Sequence, residues 1–253
     1  MERDLTSGSV FRNVIYFSLP YFLSYFLQTL YGMADLFIVG QFDGVASTTA
    51  VSIGSQVMHM LTVMIVGLAM GATVSIGQSI GAGDKKRASV FVGNTVTLFM
   101  GISLVLAVLL LFFVKPIVSV MSTPAEAVSG TAYLTICFLG IPFITAYNVI
   151  SSIFRGLGDS KSPMYFIAVA CAVNIILDYL FIGFFHLGAS GAALGTTLSQ
   201  ACSVLFALIA IKRKQTGLSL SGDCFRPQKK PLGKILNIGI PVALQDGFIQ
   251  IAF

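Results

Sequence analysis

The sequence predicts an all-α integral membrane protein: a six-helix transmembrane bundle followed by the start of a seventh helix. Three observations predict it. Of 253 residues, 56% are hydrophobic and only 10% are charged, where a soluble domain carries about 25% charged residues. The apolar residues gather in six runs long enough to cross a bilayer, which takes about 20 helical residues. The basic residues collect between alternate runs, the pattern that sets the orientation of a multi-spanning chain.

The first run covers residues 14–39 and contains Pro20, Gln28 and Asp35. It is too long and too polar for a cleavable signal peptide. The second, 48–80, exceeds one crossing, so tilt, bending or protrusion is expected. It carries the spacings Gly67–Gly71 and Gly77–Gly81, which allow close helix contact. It closes in the turn Gly81-Ala82-Gly83-Asp84, which lacks the Gly-Lys-Ser/Thr of a phosphate loop. The third run is 89–114. The fourth, 131–154, contains Pro142 and a polar face of Asn148, Ser151 and Ser152. The fifth, 163–185, opens on Pro163 and carries Asn174 and Asp178. The sixth, 191–211, follows Gly188 with Gly191 and Gly195 and carries Thr196, Ser199 and Gln200. Pro20, Pro142 and Pro163 are placed to kink or start helices.

Residues 212–234 are basic and contain Pro227 and Pro231, so they read as a linker. A seventh apolar run opens at Ile235, carries Gln245 and Asp246, and is still apolar at Phe253. The chain therefore reads as part of something longer. Its expected divisions are a six-helix lobe (1–211), a linker (212–234) and the start of a further helix (235–253).

Charge assigns the topology. The side holding the N-terminus has Arg3, Arg12, Lys85, Lys86, Arg87, Arg155, Lys161, Lys212, Arg213, Lys214, Arg226, Lys229, Lys230 and Lys234. The other side has Lys115. A cytoplasmic N-terminus in a cell membrane is expected. The net charge of +5 thus reflects topology, and a nucleic-acid partner is not implied. Cys137, Cys171 and Cys202 lie in spans and Cys224 in a loop, with no Cys-x-x-Cys pair. Neither a disulfide framework nor a zinc site is suggested. His186 reads as interfacial and His59 as packed or pore-facing; neither has metal-ligand spacing.

The informative residues are Asp35 and Asp178. A carboxylate at membrane depth costs about 2.5–3.5 kcal/mol on insertion scales and marks an ion or substrate pathway by default. With helices 1 and 5 running outward and helix 6 inward, Asp35 lies roughly 7 Å, Asp178 roughly 10 Å and Thr196 roughly 7 Å below the outer ends, at 1.5 Å per residue. Three polar positions on three helices share one level. Asn174 lies one turn from Asp178 on the same face, and Gln28 lies two turns from Asp35. Lipid satisfies none of these groups, so they are expected to face a bundle interior or wet cavity. For Ser151, Ser152, Ser199 and Gln200, hydrogen-bond glue between helices is the simpler reading. It does not account for two carboxylates with no Lys or Arg in any span.

A weak internal repeat is visible. Arg12 to Pro20 opens helix 1 and Lys234 to Pro241 opens helix 7, each a basic residue, an apolar stretch, then Pro. After six crossings a second copy would have the orientation of the first, which suits a parallel two-lobed transporter.

Over essentially its whole length the chain resembles the N-terminal lobe of a multidrug and toxic compound extrusion (MATE) transporter. The resemblance is carried by Pro20, Gln28 and Asp35-x4-Gly40, and by Gly77-Gln78-x2-Gly81-Ala82-Gly83-Asp84. It continues in Phe154-Arg155-Gly156-x-Gly158-Asp159-x3-Pro163, Asn174-x3-Asp178-Tyr179, and Gly188-Ala189-x-Gly191-Ala192-Ala193-x-Gly195-Thr196. It implies twelve helices in two lobes around a central cavity, exporting organic cations and other amphipathic compounds in exchange for H⁺ or Na⁺.

The pattern is similar to the DinF-like branch. That likeness implies a cation site at Asp35, Asn174, Asp178 and Thr196, with Gln28, Asn148 and Ser151 as supporting polar residues. Ser151 departs from a more usual Asn. A NorM-like Glu in helix 7 would fall near Ile249 or Gln250, a departure from that branch, although Asp246 could supply a carboxylate one turn away. The implied partners are small amphipathic or cationic substrates, the bilayer and a C-terminal lobe. Apart from the coupling ion, which is the only metal considered, no cofactor is implied. Two alternatives were weighed. A flippase for a lipid-linked precursor would want cavity Arg or Lys. An enzyme would need a nucleophile with a base or a metal cluster. Neither set is present in the spans, so no residue is assigned a catalytic role.

Overall fold

The computed structural model describes residues 8–121, 127–213 and 221–252. Arg3, Lys214 and Phe253 lie outside them. The helices are α1 (Val10–Phe42), α2 (Val45–Gly81), α3 (Lys85–Met121), α4 (Ala127–Gly156), α5 (Lys161–Asp178), α6 (Gly188–Arg213) and α7 (Lys229–Ala252). A π-helical segment, Tyr179–Phe184, continues α5, and a 3₁₀ turn, Gly222–Phe225, precedes α7. Six elements, with α5 and its π segment counted as one, are long and apolar enough to cross a membrane.

Each helix extends beyond its apolar run, because backbone hydrogen bonding continues where side-chain hydropathy falls. α2 and α3 have 37 residues each, about 55 Å at 1.5 Å per residue, against a hydrocarbon core of about 30 Å. The extra length of α3 takes in Lys115 and Pro116.

Two turns on the basic face share one construction. Gly83 and Gly158 adopt φ of +73° and +87°, a left-handed conformation that glycine enters without a Cβ clash. The amides of Gly83 and Asp84 then reach back to the Ile80 and Ser79 carbonyls, and those of Gly158 and Asp159 to Arg155 and Phe154. This is a Schellman closure at the end of α2 and of α4. The aspartate that follows starts the next helix. Asp84 Oδ1 accepts from the Arg87 amide at 2.9 Å. Asp159 Oδ1 accepts from the Lys161 and Ser162 amides at 3.0 Å. Such caps are worth about 1 kcal/mol each. Pro163 sits in the first turn of α5, where its missing N–H leaves no bond unmade.

α4 is the centre of the bundle. Two-thirds (67%) of its apolar window is buried, against 17% for α1, and α2, α3 and α6 pack around it. Phe138 and Ile141 of α4 join Val51, Ile38 and Ile182 in one core cluster. Phe154 joins Phe166 and Ala170 in another. α1 packs mainly on α5 and leaves Phe22, Tyr25, Phe26, Met33 and Phe37 exposed.

α7 lies along α2. The contact is close because side chains are missing. A Cβ on Gly71 would strike the Ile235 carbonyl, and one on Gly239 the Leu68 carbonyl. Gly67 faces the Ala243 backbone in the same way. The other spacing behaves differently: Gly77 meets the Gly156 carbonyl, but Gly81 faces open space.

Two expectations are corrected here. α7 begins at Lys229, inside the expected linker. Pro231 reads as a breaker in sequence, yet it occupies the first turn of α7, where proline is compatible with helix. The rest of the described linker is docked on α3. Asn94 Nδ2 donates to the Cys224 carbonyl at 3.1 Å and Asn94 Oδ1 accepts from the Gln228 amide at 2.7 Å. Thr97 Oγ1 donates to the Phe225 carbonyl at 2.7 Å. His59 is exposed on α2.

This burial changes how topology is tested. Cys224 is only 8% exposed, so its failure to label would not report sidedness. Gly222 has open space where a Cβ would go, and Val45 on the opposite face is exposed. In right-side-out cells, an impermeant thiol reagent is expected to label Val45→Cys directly and Gly222→Cys only after permeabilisation. The reverse pattern would invert the topology.

Candidate cation site

Three helices converge on one buried volume. α1 supplies Asp35, α5 supplies Asn174 and Asp178, and α6 supplies Thr196. Asp35 is 6% exposed, and Asn174 and Asp178 are fully buried. Thr196 Oγ1 donates to Asp35 Oδ2 at 3.1 Å. The side chains of Asp178 and Asn174 lie close to Asp35 without a hydrogen bond to it. The shared depth expected from the sequence is realised as direct proximity.

Two local features set this geometry. Asp178 is the last α-helical residue before the wider π segment. Such segments often occur at functional sites. On α6, Gly195 leaves the space that the Asp178 carboxylate fills; a Cβ there would collide with Asp178 Oδ1. The residue before Thr196 therefore admits one carboxylate while Thr196 itself holds the other. Sequence reading missed the π segment, which has no composition signal, and took Gly195 only as a light packing position.

The electrostatics are unbalanced. Asp35 Oδ1, both Asp178 oxygens and both amide atoms of Asn174 have no hydrogen-bond partner among the described residues. Ionised carboxylates only accept hydrogen bonds, so two of them facing each other cannot satisfy each other. One proton between them, or one cation among their oxygens, would. Oxygens from Asp35, Asp178, Asn174 and Thr196 form a hard donor set suited to such an ion.

The expected supporting residues are more loosely placed. Gln28 is half-buried two turns from Asp35. Asn148 Nδ2 donates to the Ile144 carbonyl of its own helix at 2.8 Å. Ser151 is buried near Tyr147, and its Oγ has no hydrogen-bond partner among the described residues. None bonds to either carboxylate. The glue reading is also revised: Ser199 and Ser152 bond to carbonyls of their own helices, Thr196 and Val149. Ser203 does bridge helices, donating to the Phe166 carbonyl at 2.8 Å.

Tyr31, between Gln28 and Asp35 on the same side of α1, had no role assigned from sequence; it lies one turn from Asp35 and close to Gln200 on α6. The available signal was its position four residues before Asp35, matched by Gln200 four after Thr196. Arg155 lies in the last turn of α4 and is largely buried. Its guanidinium lies over the Tyr21 ring, 5.4 Å from the centroid, and Nε has no hydrogen-bond partner. Among the described residues it forms no ion pair with either carboxylate.

Fold and site together define a polytopic membrane protein with a paired-carboxylate centre inside one helical bundle. A family model, MatE, matches residues 20–180, and the chain belongs to that family. It is 32% identical over 244 residues to the probable multidrug resistance protein YpnP of Bacillus subtilis, covering 96% of this chain and 54% of the relative. It is 30% identical to the multidrug export protein MepA of Staphylococcus haemolyticus, covering 94% and 53%. Among solved structures it matches a MATE protein in the bent conformation with a TM-score of 0.88 at 28% identity, covering 95% of this chain and 54% of that one. It matches an outward-facing multidrug resistance MATE family transporter of the MOP superfamily with a TM-score of 0.88 at 26% identity, covering 96% and 54%. The chain thus spans about half the length of these relatives. The six-helix bundle corresponds to the N-lobe half of the family.

The unbalanced charge predicts a stability effect. An unsatisfied buried acceptor costs about 1–3 kcal/mol. Replacing Asp178 by Asn supplies a donor of nearly the same shape. In detergent at neutral pH, with choline in place of Na⁺, Asp178→Asn is expected to melt at a higher temperature than the native chain. An unchanged or lower melting temperature would show that the carboxylate is already satisfied.

Proposed function

We propose that this chain forms one lobe of a secondary antiporter. In this reading the transporter exports organic cations and other amphipathic drugs across the cell membrane in exchange for H⁺ or Na⁺. The N-terminus is on the cytoplasmic side. Asp35, Asn174, Asp178 and Thr196 are the cation site, with Gln28, Asn148 and Ser151 as a looser polar surround. A second lobe supplies the facing wall of the substrate cavity.

One observation carries the reading: two carboxylates share a buried space with unpartnered oxygens and, among the described residues, no positive partner. The names of the multidrug relatives support the substrate class. The exposed aromatic and Met side chains of α1 provide an apolar surface suited to flat, greasy cations. Asp35 and Asp178 sit on different helices, so an ion between them links α1, α5 and α6. When H⁺ or Na⁺ binds, repulsion is relieved and one packing of these helices is favoured. When it leaves, the other is favoured. An ion shifts such an equilibrium only through unequal affinity for the two states. Alternation between them couples ion entry to drug exit.

The test is ion-driven drug efflux in proteoliposomes containing this lobe together with its second lobe, under separately imposed H⁺ and Na⁺ gradients. Asp35→Asn and Asp178→Asn are each expected to abolish gradient-driven export while the protein remains folded. Asn174→Ala and Thr196→Ala remove neutral ligands and are expected to weaken cation affinity by up to about tenfold, the value of one hydrogen bond. Normal coupled export by the Asp35→Asn/Asp178→Asn double variant would refute the site.

A further inference from the structure

We infer that the outer face of α3, where the docked strap meets it, is a binding site for one anionic phospholipid from the leaflet on the basic face. The groove has a volume of about 500 Å³. Its wall is Thr97, Gly101, Val105 and Leu109 of α3, and its base is Pro227 and Leu232. The four α3 residues recur every four positions and so form a single stripe. The stripe is about 18 Å long at 1.5 Å per residue. One leaflet of hydrocarbon is about 15 Å deep, half of the 30 Å core. The groove therefore runs the depth of one leaflet, the shape an acyl chain requires.

The floor is open at Gly101, where a Cβ would meet nothing within 4 Å. The base is pinned rather than mobile, since Asn94 and Thr97 bond to the backbone at Cys224, Phe225 and Gln228. Arg226 and Lys229 lie within two residues of Pro227, and Lys230 within two of Leu232, so the pinned base carries three cations beside the apolar groove. Lys229 and Lys230 are exposed. Arg226 is 81% exposed, and its Nε lies 3.5 Å from Asp223 Oδ1, the acidic group beside it. An apolar groove with three cations next to its base matches a lipid with an apolar tail and an anionic head. Basic pockets beside transmembrane helices recognise such head groups.

The experiment is native mass spectrometry of the full chain in detergent, titrated with phosphatidylglycerol and phosphatidylcholine of identical acyl chains. The native chain is expected to retain phosphatidylglycerol in preference. Each charge removed from Arg226, Lys229 and Lys230 by Gln is expected to cut that preference about fivefold. Gly101→Leu, which fills the slot, is expected to reduce retention of both lipids with helicity unchanged. Equal retention of the two lipids by the native chain would overturn the proposal. So would a preference that survives the triple Gln variant, whose substitutions sit on exposed side chains and leave the core intact. Retention unaffected by Gly101→Leu would also overturn it.

Discussion

Asp35 and Asp178 are held in one buried space, and no cation among the described residues balances them. Each carboxylate carries a cost of about 2.5–3.5 kcal/mol at membrane depth. The bundle meets that cost only in part. Thr196 donates one hydrogen bond to Asp35, and Gly195 makes room for Asp178. Much of the rest of the lobe serves to keep this pair in place. α4 is buried at the centre, and the π segment follows Asp178 at the point where α5 must deliver it.

The same economy shows at the basic face. Two Gly-Asp pairs end one helix and begin the next by the same hydrogen bonds, so α2 to α3 and α4 to α5 reverse direction within a few residues. These short turns fix which helices are neighbours. α5, started by Asp159, reaches α6 and α1 along its length, which brings Asn174 and Asp178 to Asp35 and Thr196. Local backbone chemistry at one face thus determines side-chain proximity near the other.

The chain belongs to the MatE family and corresponds to one lobe of its longer relatives. Two parts of it differ in how they are covered. α1 is the most exposed of the six spans together with α3 and carries a row of aromatic side chains. α7 is seated on α2 through paired glycines, and Lys234 Nζ at its start donates to Gln78 Oε1 at 2.6 Å. The strap and α7 are therefore built onto this lobe and do not hang from it as a free tether.

Much of the fold was legible in the residues. Apolar run length predicted six crossings because a bilayer admits only closed hydrogen-bonded helices of about that length. Asp35, Asn174, Asp178 and Thr196 stood out because lipid makes charge and amide groups expensive wherever they occur in such a run. The helix-turn glycines were legible for the same kind of reason: a left-handed residue has few alternatives. Other features depended on what lies across the chain. Gln28, Asn148 and Ser151 have the composition of site residues, but Asn148 donates to its own helix and Ser151 Oγ has no hydrogen-bond partner among the described residues. Pro231 looked like a break and sits inside α7, since a proline's effect depends on where the helix starts. Tyr31 joined Gln200, and Gly195 received Asp178, through contacts between helices far apart in sequence. The sequence by itself determined which groups are costly in a membrane, because transfer free energy belongs to the residue. Only the tertiary structure decided which of them meet, because proximity belongs to the packing of α1, α5 and α6 around α4.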